Sequence, residues 1–157
     1  LEVVETTLKH QLRCMANFRG NSDCVVVGSI EGRAAIQYLR DSPPPNKKSF
    51  AFKCHRVGTA PVDVFAVNAV SVHPVYNTFS TAGGDGSFTF WDKDAKQKLQ
   101  HFIRAHPSLP IVSTGFNRTG HVFAYACAYD WSQGAEVATE EAALYLHMPT
   151  EEIKNHK

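Results

Sequence analysis

Phe79-Ser-Thr-Ala-Gly-Gly-Asp-Gly-Ser-Phe-Thr-Phe-Trp91-Asp92 decides the fold. It reads as two short strands joined at Asp85-Gly86, where glycine reaches positive φ without a Cβ clash and aspartate tolerates it. After the turn, Phe88 and Phe90 fall on one face and Ser87, Thr89 and Trp91 on the other. That is the period of two expected of a strand.

The unit recurs with decay. Val25 to Gly32 matches Phe79 to Gly86 at an offset of 54, with Glu-Gly in place of Asp-Gly, and Phe123 to Ala128 matches Phe79 to Gly84 at an offset of 44. A strand ending in a turn precedes each copy: Met15 to Phe18, Val70 to Pro74 and Ser113 to Arg118. A strand closing on Trp-Asp within such a repeat marks one blade of a WD-type β-propeller. The fold expected is therefore all-β, a WD40-type propeller with about three blades, over residues 11–56, 66–105 and 110–149. Residues 1–149 form the partial propeller and 150–157 a short polar, frayed tail.

Within that frame the strands are expected at Leu12 to Phe18, Cys24 to Ser29, Arg33 to Leu39, Ser49 to His55, Ala66 to Val72, Thr78 to Gly83, Ser87 to Asp92, Lys98 to Arg104, Ile111 to Phe116, His121 to Ala128 and Ala142 to Met148. Leu1 to Leu8 reads as the last strand of a preceding blade. Asp41 to Lys48, with three prolines, must be a loop, and Arg56 to Val62 a turn-rich connection. Tyr129 to Gly134 opens a long polar connection in the third blade, which lacks a fourth strand.

At 157 residues, and with about 40–45 residues per blade, the chain holds about three and a half blades, fewer than the four to eight of closed propellers. It is expected to be part of a ring: a fragment, a truncated isoform or one half of an assembly. A net charge of +1 argues against an electrostatic drive toward nucleic acid. Cys14, Cys24, Cys54 and Cys127 show no CxxC spacing and read as buried, reduced thiols. No run approaches the ~20 apolar residues of a membrane span, and no signal peptide opens the chain, whose first residue is not Met.

Eight histidines show neither HExxH nor paired short spacing, so no metal site or cofactor is expected. His73 before Pro74 reads as a turn residue. Cys54-His55 resembles half of a thiol–imidazole pair, but adjacent residues on a strand point to opposite faces and cannot meet. Gly83 to Gly86 precedes no helix, so the hairpin accounts for it without a phosphate. No catalytic constellation emerges. Trp91 to Lys98 has two readings. In one, Trp91 packs a blade and the charges are solvated. In the other, Trp91 and Phe52 form an aromatic pocket ringed by Lys93, Lys96 and Lys98, suited to an anchor side chain flanked by acidic residues.

Leu8-Lys-His-Gln-Leu-Arg-Cys14, Gly28-Ser-Ile-Glu-Gly-Arg33, Phe50-Ala-Phe-Lys-Cys-His-Arg56, Phe88-Thr-Phe-Trp-Asp-Lys-Asp-Ala95 and Phe123-Ala-Tyr-Ala with Tyr129-Asp-Trp-Ser-Gln-Gly134 closely resemble the C-terminal half of the nuclear-pore mRNA export factors. These WD-repeat proteins are related to the Bub-class checkpoint propellers, and the resemblance runs from Glu5 to Met148. It implies a seven-bladed, non-enzymatic propeller that binds the acidic-hydrophobic GLEBS motif of an FG nucleoporin and serves mRNA export and the mitotic spindle. The implied location is the nucleus, the nuclear envelope at the pore, and the cytoplasm. The implied partner-binding residues are Phe52, Trp91, Asp92, Lys93, Lys96, Lys98 and Arg33. Lys96 stands where arginine is expected, keeping the charge without the planar fork. Two other readings remain: a kinetochore checkpoint scaffold bound to spindle or checkpoint proteins, and direct binding of mRNA or ribonucleoprotein through the lysine rim.

Overall fold

The computed structural model describes residues 3–20, 23–39, 47–103, 109–137 and 140–155. Three antiparallel sheets follow one another along the chain. The first blade is β1 (Leu12–Asn17), β2 (Cys24–Ser29), β3 (Arg33–Tyr38) and β4 (Phe50–Lys53), in that order. A two-stranded ribbon, β5 (Arg56–Val57) with β6 (Asp63–Val64), leads on to the second blade. That blade is β7 (Val67–Val72), β8 (Phe79–Gly83), β9 (Phe88–Asp92) and β10 (Gln97–Phe102). The third blade has three strands, β11 (Ile111–Phe116), β12 (Phe123–Ala128) and β13 (Ala142–His147). The first strands of the blades, β1, β7 and β11, lie side by side. This is the arrangement of propeller blades around an axis.

Alternation along β8 and β9 makes the second blade the hub. Phe79 and Trp91 turn toward the first blade and pack with Phe18, Val26, Ile36 and Phe52. Phe88 and Phe90 turn the other way, into Ile111, Phe123, Tyr125 and Cys127 of the third. Each buried ring contributes roughly 1.5–3 kcal/mol by leaving water. The two blade interfaces are therefore separate cores that share one sheet.

Four expectations need correction. The Asp85-Gly86 hairpin is not a two-residue turn: Gly86 N–H donates to the Gly83 carbonyl at 3.0 Å and Gly83 N–H to Ser87 at 3.2 Å, so 84–86 form the loop. Gly86 alone takes positive φ there, at 73°. Residues 3–11 form no strand; Leu8 instead covers Val25, Val27 and Ala35 on the outer face of the first blade. The Arg56 to Val62 connection contains a strand of the β5–β6 ribbon. The tail is not frayed through residue 155: Glu151–Ile153 forms a 3-10 turn, Ile153 is 1% exposed, and its carbonyl accepts from Thr78 Oγ at 2.9 Å. The proline loop over 41–46, Arg104 and residues 1, 2, 156 and 157 lie outside the described residues.

His73 is a turn residue, as its sequence position suggests. Its Nδ1 accepts from the Val75 and Tyr76 amides at 3.2 and 3.1 Å, which leaves the proton on Nε2, 3.2 Å from the Gly120 carbonyl. Burial pushes the imidazole pKa below its usual value. The unfolded chain thus takes up this proton first, and stability is lost as pH falls below about 6.5. His101 adds in the same direction, through burial and then Lys98. A thermal scan from pH 7 to pH 5 should show a falling Tm, and His73→Asn, whose amide oxygen can still cap the turn, should flatten that slope.

Candidate docking pocket between the first two blades

The pocket begins with alternation on β4. Phe50 and Phe52 share one face, and Phe52 lies 4.7 Å from Trp91 and 6.1 Å from Phe79, centroid to centroid. The β9–β10 turn supplies the other wall. Asp92 Oδ1 accepts from the Asp94 and Ala95 amides at 2.8 and 3.1 Å, which folds the turn, and Lys96 completes it at φ 54°. Between the walls lies a cavity of about 110 Å³ lined by Phe50, Phe52, Phe79, Trp91, Asp92, Lys93, Lys96 and Gln97.

The lysines divide. Lys96 Nζ sits 4.9 Å from the Phe50 centroid and Lys93 Nζ 5.2 Å from that of Phe18, both cation–π distances. Lys93 is nearly buried and pairs with Asp94 Oδ2 at 2.8 Å, while Lys47 holds Asp94 Oδ1 at 2.7 Å. Burial pushes the Asp94 carboxyl upward, but the two ammonium groups outweigh it and hold it below the usual carboxylate range. Lys98 lies on the other side of Trp91, in a second cavity of about 260 Å³ with Lys53, Arg56, Thr89 and His101. Arg33 lines neither cavity; it meets Glu31 at 3.6 Å and is paired in register with Lys53. Of the seven expected residues the pocket thus gathers Phe52, Trp91, Asp92, Lys93 and Lys96.

The indole of Trp91 is fixed by a hydrogen-bond chain that the sequence reading missed. Trp91 Nε1 donates to Thr81 Oγ at 3.0 Å, and an indole can only donate. Thr81 Oγ also lies 3.0 Å from His55 Nε2. On the other side of the ring His55 Nδ1 donates at 2.9 Å to Asp85 Oδ1, a carboxylate that can only accept. Ser87 donates to the other Asp85 oxygen at 2.8 Å. Burial raises the Asp85 carboxyl, and the bonds from His55 and Ser87 more than reverse that. Gly83 admits the ring: a Cβ there would stand 2.7 Å from His55 and from the Ala66 carbonyl. Burial, with Asp85 nearby, pushes the Cys54 thiol up to about 12, so Cys54 is not set up as a nucleophile. Among the described residues no three His, Cys, Asp or Glu side chains are grouped to hold a metal.

No protein-family profile matches the chain. Curated relatives do. Protein RAE1 of Arabidopsis thaliana is 45% identical over 155 residues, covering 96% of this chain and 42% of that protein. The mRNA export factors of Rattus norvegicus and Danio rerio are 43% and 45% identical over 160 residues, covering 96% of this chain and 43% of each. Among solved structures, Chaetomium thermophilum Sqt1 bound to the N-terminus of ribosomal protein L10 superposes with a TM-score of 0.57 at 17% identity. The match covers 74% of this chain and 29% of that one, and it shows the WD-repeat propeller fold alone. By sequence, then, the chain is similar to the mRNA export factors and spans a little over two-fifths of the length of those it matches.

Proposed function

We propose that this chain is a non-enzymatic docking module of nuclear mRNA export, carrying about three blades of a seven-bladed ring over residues 1–149. Its partner is the GLEBS motif of an FG nucleoporin, an acidic-hydrophobic segment, and its place of work is the nuclear pore, with exchange into the cytoplasm. The observation that supports this most is the preformed aromatic pocket of Phe50, Phe52 and Trp91 with ammonium groups at its edge. An apolar anchor side chain would enter it, and neighbouring carboxylates would meet Lys96 and Lys93. Pre-organisation by the chain from Trp91 to Asp85 spares the partner the cost of ordering the indole.

Trp91→Ala is a poor test, because it also opens the buried chain. Lys96→Glu changes an exposed group and leaves that chain intact. It should weaken a GLEBS peptide by about 1–2 kcal/mol in a fluorescence titration; unchanged affinity in a folded variant would remove the pocket assignment. A second reading rests on the Lys53, Arg56 and Lys98 cavity, whose charge suits RNA phosphates. A steep fall of RNA affinity with salt would favour it. Co-purification with checkpoint proteins in place of a nucleoporin would favour the kinetochore scaffold.

A further inference from the structure

Lys93 and Lys96 line the pocket, and Lys47 joins Lys93 in holding the carboxylate of Asp94 beside it. Asp94 stands at the tip of the β9–β10 turn with its side chain 47% exposed, and its two oxygens take one lysine each. Lys47 comes from the segment leading into β4 and Lys93 from the turn itself. Lys93, at 6% side-chain exposure, needs a counter-charge, and among the described residues Asp94 supplies it. Among the described residues, Lys96 meets the Phe50 ring and no carboxylate.

We infer that Asp94 is an internal competitor for the acidic residues of the partner: its carboxylate occupies Lys47 and Lys93 in the free protein and must give them up when a partner carboxylate enters. The inference rests on the pocket reading above. Binding then exchanges one carboxylate for another, and the apparent affinity is reduced by the fraction of molecules whose clamp is open. The clamp also sets specificity. An apolar segment without acids leaves Asp94 in place and gains only the ring contacts, whereas a segment with a well-placed carboxylate gains the two lysines once it displaces Asp94.

The test uses the full chain and two synthetic peptides, one with a single leucine flanked by glutamates and one with glutamines in their place. Asp94→Asn removes the charge while its amide oxygen still accepts from one ammonium. It should tighten the glutamate peptide about three- to tenfold, the range expected when half-exposed ion pairs stop competing, and leave the glutamine peptide unmoved. Asp94→Ser, which removes the carboxylate by a different side chain, should do the same and covers the case of a poorly folded asparagine variant. If both variants leave the glutamate peptide unchanged or weaken it, while Lys96→Glu still weakens it, the competitor role is overturned and the pocket stands. If the glutamate peptide binds neither the parent chain nor any variant, the pocket reading falls and this inference falls with it.

Discussion

Replacing His55 with alanine should lower the unfolding free energy by about 3–5 kcal/mol, because the buried Asp85 carboxylate loses its imidazole donor and the missing ring leaves a cavity. His55 and Asp85 have side-chain exposures of 1% and 6%, so water has little access to the carboxylate left behind. The ring follows β4 of the first blade, while Asp85, Thr81 and Trp91 all belong to the second, so the substitution cuts one of the polar links between the two blades. Urea unfolding followed by tryptophan fluorescence checks it. The midpoint should drop sharply for His55→Ala, and the native spectrum should change because Thr81, the acceptor of the Trp91 indole, loses the ring that holds it in place. Thr81→Ser keeps the hydroxyl and should cost less than about 1 kcal/mol. A His55→Ala midpoint within that margin of the parent would mean the network orients the indole without stabilising the fold.

Phe90→Ala should cost a similar amount, about 3–5 kcal/mol, for a different reason: a cavity in a packed core. Phe90 is fully buried and touches Phe102, Phe116, Phe123 and His147, with centroids 5.3 to 6.2 Å away. Those rings come from both blades that meet there, and none of them can collapse inward without leaving another neighbour. Phe90→Leu, which fills most of the space, should cost about 1–1.5 kcal/mol. Trp91, next in sequence, faces the other interface. Coincident melting of its fluorescence and the far-ultraviolet circular dichroism in Phe90→Ala would show that both interfaces unfold as one unit. Separate transitions would show that the second and third blades part first.

Much of this was legible in sequence because strands announce themselves by alternation and repeats by register. Phe88 and Phe90 against Thr89 and Trp91 gave both faces of the hub strand, and the offsets gave the neighbouring blades. What escaped has physical reasons. His55 and Asp85 are thirty residues apart; a histidine after a strand and an aspartate in a turn are each ordinary until the fold brings them to 2.9 Å. The three lysines looked like one ring around the indole. Lys96, however, sits in a turn at positive φ, Lys93 turns inward to Phe18, and a register irregularity follows Lys98 on the far side. Ile153 was hidden by Glu151, Glu152 and Lys154: one apolar residue has no period to reveal it.

The face of the third blade turned away from the second carries Ala124, Ala126 and Ala128 on β12, opposite Leu146, Leu144 and Ala142 on β13. Leu144 and Leu146 are 71% and 65% exposed, Met148 just beyond is 72% exposed, and β13 is the outermost strand of its sheet. Such a greasy, unpaired border is a template for further strands. It makes the solubility of the isolated polypeptide hostage to concentration: crowded copies would stack edge to edge there, so colloidal behaviour is governed at the opposite end of the molecule from the peptide pocket.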